Sequence, residues 1–211
     1  MVDRIPVVFV VDDDPSIRES LSLLLSSAGY DMKTFTSAKE FLESKRDISG
    51  PACLVLDVKM PGLSGLDLQK ELRSRNYAIP IIFITGHGDI PMSVQAMKKG
   101  AVDFLSKPFD DGDLLNAVKE ALFKDSQTRA DFNEQKHIRH RLDSLTKREH
   151  EVLTYLITGM LNKQIAYELE ISERTVKAHR KQVLDKMGVN SIAELVRLTE
   201  KVGVGPADVS F

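Results

Sequence analysis

The stretch Leu54-Val55-Leu56-Asp57-Val58-Lys59-Met60-Pro61-Gly62 decides the fold, because a short aliphatic run leads directly into a carboxylate and a turn. The run is β-branched at its centre and is stopped by turn residues, which is typical of a strand buried on both faces. A carboxylate at the end of such a strand is costly to bury unless partner groups meet it. Taken alone, Asp57 is equally well explained as a solvated residue before a turn. Its function therefore depends on what other segments bring to the same place.

The length suits one large or two small domains, and the composition is sufficient for hydrophobic cores. The chain has 211 residues, of which 42% are hydrophobic, and a formal net charge of −2. This small charge gives no overall indication of nucleic-acid or membrane binding. Residues 1–120 contain 14 Lys and Arg against 18 Asp and Glu, whereas residues 121–211 contain 15 against 13. The change of sign indicates two modules with different partners.

Cysteine usage and hydropathy both favour a cytoplasmic protein. The single cysteine, Cys53, starts the aliphatic strand and is interpreted as a small core residue rather than a reactive thiol. The sequence has no apolar run of about 18 residues and no signal-peptide pattern. We therefore expect a cytoplasmic location and no membrane partner.

Five apolar strands alternate with helical patterns in the first half of the chain, which predicts an α/β fold with a doubly wound, five-stranded parallel sheet. The strands cover Val7–Val11, Met32–Phe35, Leu54–Asp57, Ile79–Ile84 and Val102–Leu105. In such sheets, ligands bind at the carboxyl ends of the strands. The residues at those ends are Asp12, Asp13, Asp57, Thr85 and Lys107.

Three carboxylates, a hydroxyl and an ammonium group at one sheet edge suit phosphoryl transfer. Clustered carboxylates repel each other unless a cation joins them. Oxygen ligands with room for water suit Mg²⁺. A carboxylate can act as the nucleophile, while the metal ion, the Lys107 ammonium and the Thr85 hydroxyl stabilise the phosphoryl oxygens.

Residues 5 to about 122 resemble the receiver domain of two-component systems, which has a CheY-like or flavodoxin-like fold. The resemblance rests on Asp12-Asp13, on Asp57 followed by Met60-Pro61-Gly62, on Thr85 and on Lys107-Pro108. The stretch from Ile84 to Met92 further resembles the FixJ branch of that family. We therefore expect a receiver domain over residues 1–123.

The resemblance also assigns roles to the residues. It implies that Asp57 accepts a phosphoryl group from a sensor histidine kinase, with Thr85 and Lys107 contacting the phosphoryl oxygens. It implies that Mg²⁺ is bound by Asp13, Asp57 and the backbone carbonyl of Lys59, with Asp12 acting mainly through water. It places Phe104 at the position of the switch aromatic residue, makes Thr85 the second switch residue, and implies a cis Lys107-Pro108 bond.

Lys59 and His87 each lie two residues after a site residue, where a side chain can hinder or admit water. One hypothesis is that they set the lifetime of the phosphoryl group. For His87 alone, a solvated loop position is the favoured interpretation.

Residues 124–140 are expected to form a largely helical linker. They are mostly polar, with Phe132 and Ile138 as the main large apolar residues. Apolar heptads are too sparse for a strong coiled coil. A weak dimeric helix pair and a flexible segment both remain open.

Short helical patterns follow, and two of them form a helix-turn-helix. Thr146 and Glu149 have the spacing of a capping box before the first of these helices. The helix within Ser172–Met187 carries five Lys and Arg residues against two acidic ones. A basic helix alone is usually just a solvated face, but the helix-turn-helix frame favours DNA binding.

Residues 141–202 resemble the LuxR/NarL-type DNA-binding domain. The resemblance rests on Leu145–Glu149, Ile165-Ala166, Ser172–His179 and Lys186–Val189. By resemblance, Lys177, Ala178 and Lys181 face base edges in double-stranded DNA, with Arg180 a further candidate. The remaining expected contacts, made to phosphates, come from Lys163, Thr175 and His179. Residues 203–211 are expected to be a disordered tail.

The combined pattern indicates a response-regulator transcription factor that is not an enzyme. Phosphorylation of Asp57 is expected to shift the receiver and to promote a homodimer that binds two DNA half-sites. One alternative is a magnesium-dependent phosphatase with Asp57 as nucleophile, although Lys59 stands where such enzymes place a second acid. The other alternative is a DNA-binding regulator that works without phosphorylation.

Overall fold

The computed structural model describes residues 5–44, 48, 50–86 and 90–207. The chain divides into two compact units, with the boundary between Arg129 and Ala130. Within the described ranges, no helix is both long enough and apolar enough to cross a membrane.

The first unit is a parallel α/β sheet, as predicted from the alternation of strands and helices. Its elements are β1 (Val7–Val11), α1 (Pro15–Ser27), β2 (Asp31–Phe35), α2 (Ala38–Glu43), β3 (Ala52–Asp57), α3 (Gly65–Ser74), β4 (Ile81–Thr85), α4 (Ile90–Lys98), β5 (Asp103–Ser106) and the first part of α5 (Asp111–Asp143). The strand order is β2-β1-β3-β4-β5, and all neighbouring strands are parallel. The predicted fold class is therefore confirmed.

Each face of the sheet carries its own hydrophobic core, because alternate residues of a strand point to opposite faces. Phe9, Leu54 and Phe83 pack on one face against α2 and α3. Cys53 and Val55 pack on the other face against α1 and α5. The strand that ends in Asp57, β3, is the central strand of the sheet, and every one of its residues is buried.

Cys53 is fully buried, as the sequence predicted. Burial raises the pKa of its thiol far above the ordinary value, and the nearby Asp125 carboxylate raises it further. The thiolate is the reactive form of cysteine, so Cys53 is chemically inert in the folded protein.

The second unit is all-helical and contains the end of α5 together with α6 (Lys147–Leu156), α7 (Asn162–Glu168), α8 (Glu173–Met187) and α9 (Ile192–Lys201). Helix α6 begins with the predicted capping box of Thr146 and Glu149. The turn between α7 and α8 places Glu170 in the left-handed region, with φ of 53°. The α7–turn–α8 pair is the helix-turn-helix that the sequence predicted.

Residues 124–140 are helical, as expected, because they continue α5, and the boundary between the two units lies within them. Helix α5 continues unbroken through residues 124–140. Asp125 is buried in the first unit, where its carboxylate accepts a hydrogen bond from the Ala52 amide at 2.8 Å. Ile138 is buried in the core of the second unit, whereas Phe132 is exposed.

The expected disorder of the tail does not hold for residues 203–207. The Val204 amide donates to the Thr199 carbonyl at 3.0 Å, and the Ala207 amide donates to the Thr154 carbonyl at 3.1 Å. Val204 also packs against the core of the second unit. These contacts fix the segment directly after α9. Residues 208–211 lie outside the described residues.

Candidate functional site

The carboxyl ends of the strands bring the predicted acidic and basic residues together. Val11 of β1 is paired with Leu56 of β3, so Asp12 and Asp57 follow at the same level of neighbouring strands. Both carboxyl-bearing residues are almost fully buried, at 1% and 5% exposure. Two buried carboxylates side by side require a cationic partner or shared protons.

Lys107 supplies that cation. It follows β5, and its Nζ donates to Oδ2 of Asp12 at 2.7 Å and to Oδ1 of Asp57 at 2.8 Å. The Lys107-Pro108 peptide bond is cis, as predicted. The Lys107 amide donates to the Thr85 carbonyl at 2.7 Å, which places Thr85 at the same sheet edge. Thr85 itself is buried at the end of β4.

The Asp57 carboxylate is held on both oxygens. While Lys107 binds Oδ1, the backbone amide of Lys59 donates to Oδ2 at 2.7 Å. Burial raises the pKa of Asp57 and outweighs the opposing effect of Lys107. Burial would lower the pKa of Lys107, but its hydrogen bonds to Asp12 and Asp57 raise it overall. The carboxylate is thus positioned, poorly solvated and paired with a cation, as a carboxylate nucleophile requires.

The turn after β3 needs glycine at one position. Gly65 begins α3, and its amide donates to the Val58 carbonyl at 3.0 Å. A Cβ at this position would overlap the carbonyl oxygen of Asp57. The glycine therefore allows α3 to start directly against the backbone of the site.

Asp13 and Lys59 are exposed residues beside the buried pair. Together with Met60, Ser64 and Met92 they line an open depression of about 520 Å³. Within the described ranges, no three His, Cys, Asp or Glu side chains are arranged to hold a metal ion by themselves. Mg²⁺, however, needs only one or two protein carboxylates, since water and phosphate oxygens complete its shell. The oxygen donors at this sheet edge fit that chemistry.

Phe104 on β5 is partly buried, and its ring centroid lies 6.2 Å from that of Phe83. This position supports the predicted location of the aromatic residue near Thr85, since β4 and β5 are paired there. His87, which the sequence raised as a candidate for controlling water, lies outside the described residues.

Arg18 is a site residue that the sequence reasoning missed. Its Nη1 donates to the backbone carbonyl of Asp12 at 2.7 Å. The Asp12 carboxylate in turn accepts a hydrogen bond from the Asp14 amide at 2.9 Å. Arg18 therefore fixes the peptide that carries the acidic pair. Its place one helical turn after the cap residue Asp14 is the signal that could have revealed it.

The predicted DNA-contacting residues cluster on α8 and its neighbours. Lys177, Ala178 and Lys181 are exposed, and Lys163 is exposed near the start of α7. Residues three or four apart share a helix face, so Lys177 and Lys181 project from the same face of α8. Lys177 forms an ion pair with Glu173 at 3.0 Å, which is weak because both side chains are solvated.

The other three predicted contacts are partly buried. Arg180 donates to Oδ1 of Asn162 at 3.3 Å, which links α8 to α7. Thr175 hydrogen-bonds through its hydroxyl to that of Ser172 at 2.8 Å, next to the helix cap. Nδ1 of His179 is buried and has no hydrogen-bond partner among the described residues. Arg180 and Thr175 thus make contacts that stabilise the local structure.

Two family models match the chain. Residues 8–119 match the response regulator receiver domain, and residues 143–199 match the bacterial regulatory proteins of the luxR family.

Individual relatives match across nearly the whole chain. The response regulator protein TodT of Pseudomonas putida is 48% identical over 202 residues, covering 96% of this chain and 88% of the relative. The transcriptional regulatory protein FixJ of Azorhizobium caulinodans is 44% identical over 208 residues, covering 99% and 98%. The solved structure of the response regulator StyR is similar with a TM-score of 0.84 and 49% identity, covering 94% of this chain and all of that one.

Proposed function

Because the chain belongs to the NarL/FixJ family of response regulators, which join a receiver domain to a LuxR-type DNA-binding domain, we propose that phosphorylation of Asp57 controls its binding to DNA. The chain is a response-regulator transcription factor, and the relatives that match it are named as regulators. The observation that carries the proposal is the contact of Lys107 with two buried carboxylates, Asp12 and Asp57.

The donor in this proposal is a phosphohistidine of a sensor kinase. A carboxylate oxygen of Asp57 attacks the phosphorus atom, and the P–N bond breaks as the P–O bond forms. The Lys107 ammonium then moves from the free carboxylate to the new phosphoryl oxygens, since it already contacts Oδ1. The Lys59 amide keeps the other carboxyl oxygen in place during the transfer.

Mg²⁺ is the proposed cofactor. Its ligands would be Asp13, Asp57 and the carbonyl of Lys59, with Asp12 acting through water. The bound ion would neutralise charge on the transferring phosphoryl group. Support comes from the all-oxygen donor set and from the open depression that Asp13 and Lys59 share.

Thr85 and Phe104 form the proposed switch. A phosphoryl group adds negative charge and hydrogen-bond acceptors, which favour a conformation with the Thr85 hydroxyl turned towards it. Space vacated by Thr85 allows Phe104 to move inward from its partly buried position. This conformational change is expected to promote a homodimer formed through α4, β5 and α5. The sensor kinase is the partner that acts before it, by supplying the phosphoryl group.

DNA recognition is assigned to α8. Lys177, Ala178 and Lys181 read base edges, with Arg180 as a further base-contact candidate. Lys163, Thr175 and His179 contact phosphates. The proposed domain extents are residues 1–129 for the receiver and residues 130–207 for the DNA-binding unit, following the observed boundary.

The test uses the full chain with Mg²⁺ and a small phosphodonor such as acetyl phosphate. Intact mass should increase by one phosphoryl group in the wild type and not in Asp57→Asn. Selection from a random duplex library, with and without phosphodonor, should then recover a sequence that the phosphorylated protein binds more tightly. Phosphorylation of Asp57→Asn to the wild-type extent, or equal DNA affinity in both states, would contradict the proposal. Catalytic release of phosphate from phosphate esters would instead support the phosphatase alternative.

A further inference from the structure

The carboxyl end of α8 is held by a side chain from another helix. The last carbonyls of a helix lack partners within the helix. Here Nη1 of Arg141, on α5, donates to the carbonyl of Met187 at 2.8 Å. The next residue, Gly188, adopts φ of 64°, and a Cβ there would come within 3.1 Å of Nη1 of Arg141. Glycine therefore serves both the left-handed cap and the approach of the guanidinium group.

Lys186, the residue before Met187, makes a second set of contacts with other helices. Nζ of Lys186 donates to Oε2 of Glu149 at 2.6 Å and to the carbonyl of Ser144 at 3.2 Å. Glu149 is buried and also accepts the Thr146 amide at 2.7 Å, so it belongs to the capping box of α6. The final turn of α8 is thus tied to the end of α5 and to the start of α6.

The part of α5 that carries Arg141 is packed into the helical unit. Ile138 is 2% exposed and lies in the same hydrophobic core as Val183 and Met187 of α8. Glu134 accepts hydrogen bonds from Nζ of Lys201, on α9, at 2.7 Å. The α5 residues that make these contacts precede residue 143, where the match to the luxR family begins.

We propose that residues 130–143 are an integral helix of the DNA-binding domain and that Arg141 is a positioning residue for DNA recognition. The inference rests on the proposed function, since it assumes that α8 reads DNA. The amino end of α8 is held by its own Ser172 cap, whereas its carboxyl end is held by contacts to other helices, of which Arg141 makes the one to the Met187 carbonyl. A base contact discriminates only when the side chain is placed to within a fraction of an ångström. Fixing both ends of α8 sets the direction in which Lys177 and Lys181 point.

The test compares Arg141→Ala with Arg139→Ala in the full-length protein. Arg139 lies on the same helix, is exposed, and loses the same charge on substitution. The probe is a duplex selected by the wild type from a random library, with a scrambled duplex of equal length as reference. The measured quantity is the ratio of the two affinities, together with their dependence on salt concentration.

Arg141→Ala should lower the affinity ratio about tenfold, whereas Arg139→Ala should leave it unchanged. Arg141→Lys, which keeps one donor for the Met187 carbonyl, should recover most of the ratio. Circular dichroism and thermal unfolding establish that each variant is folded at the binding temperature. Should Arg141→Ala not fold, Arg141→Met provides the same comparison, because it keeps a long apolar side chain and removes every donor to the Met187 carbonyl.

An equal loss on both duplexes with a shallower salt dependence would show a phosphate contact and would overturn the inference. An unchanged ratio in Arg141→Ala would overturn it as well. A wild type that selects no sequence from the library would remove the proposed function itself, which is a separate outcome from either of these.

Discussion

The ammonium group of Lys107 lies 2.8 Å from Oδ1 of Asp57, a residue 50 positions earlier in the sequence. This ion pair is nearly buried, since the two side chains are 19% and 7% exposed. Nevertheless the pKa of Asp57 is raised, because the loss of solvation on burial destabilises the carboxylate more than Lys107 stabilises it. The resting protein therefore holds a charged group at a cost in stability, and this cost can be measured.

Asp57→Asn should make the protein more stable at pH 7, by about 1 kcal/mol. A raised folded-state pKa means that ionisation disfavours the fold. The free energy of unfolding of the wild type therefore falls as pH rises from about 4 through the folded pKa of Asp57. The gain in Asp57→Asn should shrink towards zero as the pH is lowered through that window. Urea unfolding across pH tests this, and the exposed Asp131→Asn serves as control. A gain independent of pH would contradict the assignment.

Gly65→Ala should destabilise the protein by about 2–3 kcal/mol and slow phosphorylation of Asp57. The added methyl group overlaps the Asp57 carbonyl oxygen, so either α3 or the end of β3 must shift. Gly112→Ala is the matched control, since a Cβ there meets nothing within 4 Å. That control should be neutral or slightly stabilising because alanine favours the helix. Equal unfolding midpoints for both variants would refute the overlap.

Arg18→Ala should slow phosphorylation of Asp57 roughly tenfold, which corresponds to about 1.4 kcal/mol in the barrier. Without the guanidinium group, the Asp12 carbonyl loses its 2.7 Å hydrogen bond and the acidic loop becomes less ordered. Single-turnover labelling by a small phosphodonor measures the rate. Glu19→Ala, on the exposed side of the same helix, should react at the wild-type rate. The same slowing in both variants would argue against a positioning role.

Glu149→Gln should destabilise the helical unit by about 1–2 kcal/mol at pH 7. The hydrogen bond from Lys186 and then that from the Thr146 amide lower the pKa of Glu149. An acid with a lowered folded-state pKa stabilises the fold above its ordinary pKa, and this stability is lost as pH falls through the folded pKa. The difference from wild type should therefore vanish at acidic pH. Amide hydrogen exchange in α6 and α8 measures this difference in stability, with the exposed Glu151→Gln as control. A constant difference at every pH would speak against this ionisation.

Glu170→Gly should stabilise the helical unit by about 0.5–1 kcal/mol. The left-handed conformation costs a residue with a side chain roughly 1–2 kcal/mol, and glycine avoids this cost while losing part of the gain through its flexible unfolded state. Glu168→Gly, within α7, should instead lose about 1 kcal/mol because its backbone is helical. Thermal unfolding distinguishes the two. Destabilisation by both substitutions would mean that the Glu170 side chain matters more than its backbone.

The sheet and the acidic site could be predicted because their signals are local. Each strand of the first unit is a short apolar run, and parallel strands necessarily bring their carboxyl ends to one edge. The sequence therefore predicts that Asp12, Asp57, Thr85 and Lys107 meet at that edge.

Asp125 and Arg141 could not be assigned in the same way. Asp125 meets the Ala52 amide across 73 positions, and Arg141 meets Met187 across 46. Both lie on a polar stretch of α5 whose residues show no apolar periodicity, so the sequence predicts a solvated helix. These two long-range partners are backbone groups, and a backbone group leaves no mark in the sequence.

The buried thiol of Cys53 has a practical consequence for following the protein in motion. A maleimide or a spin label reacts with thiolates at the surface, and Cys53 offers neither accessibility nor a thiolate. A cysteine introduced at an exposed position, such as Leu23 on α1 of the first unit or Tyr167 on α7 of the second, can be labelled selectively while the native residue stays in place. Pairs of such labels would report distances between the two units with and without phosphodonor, on an otherwise unaltered chain.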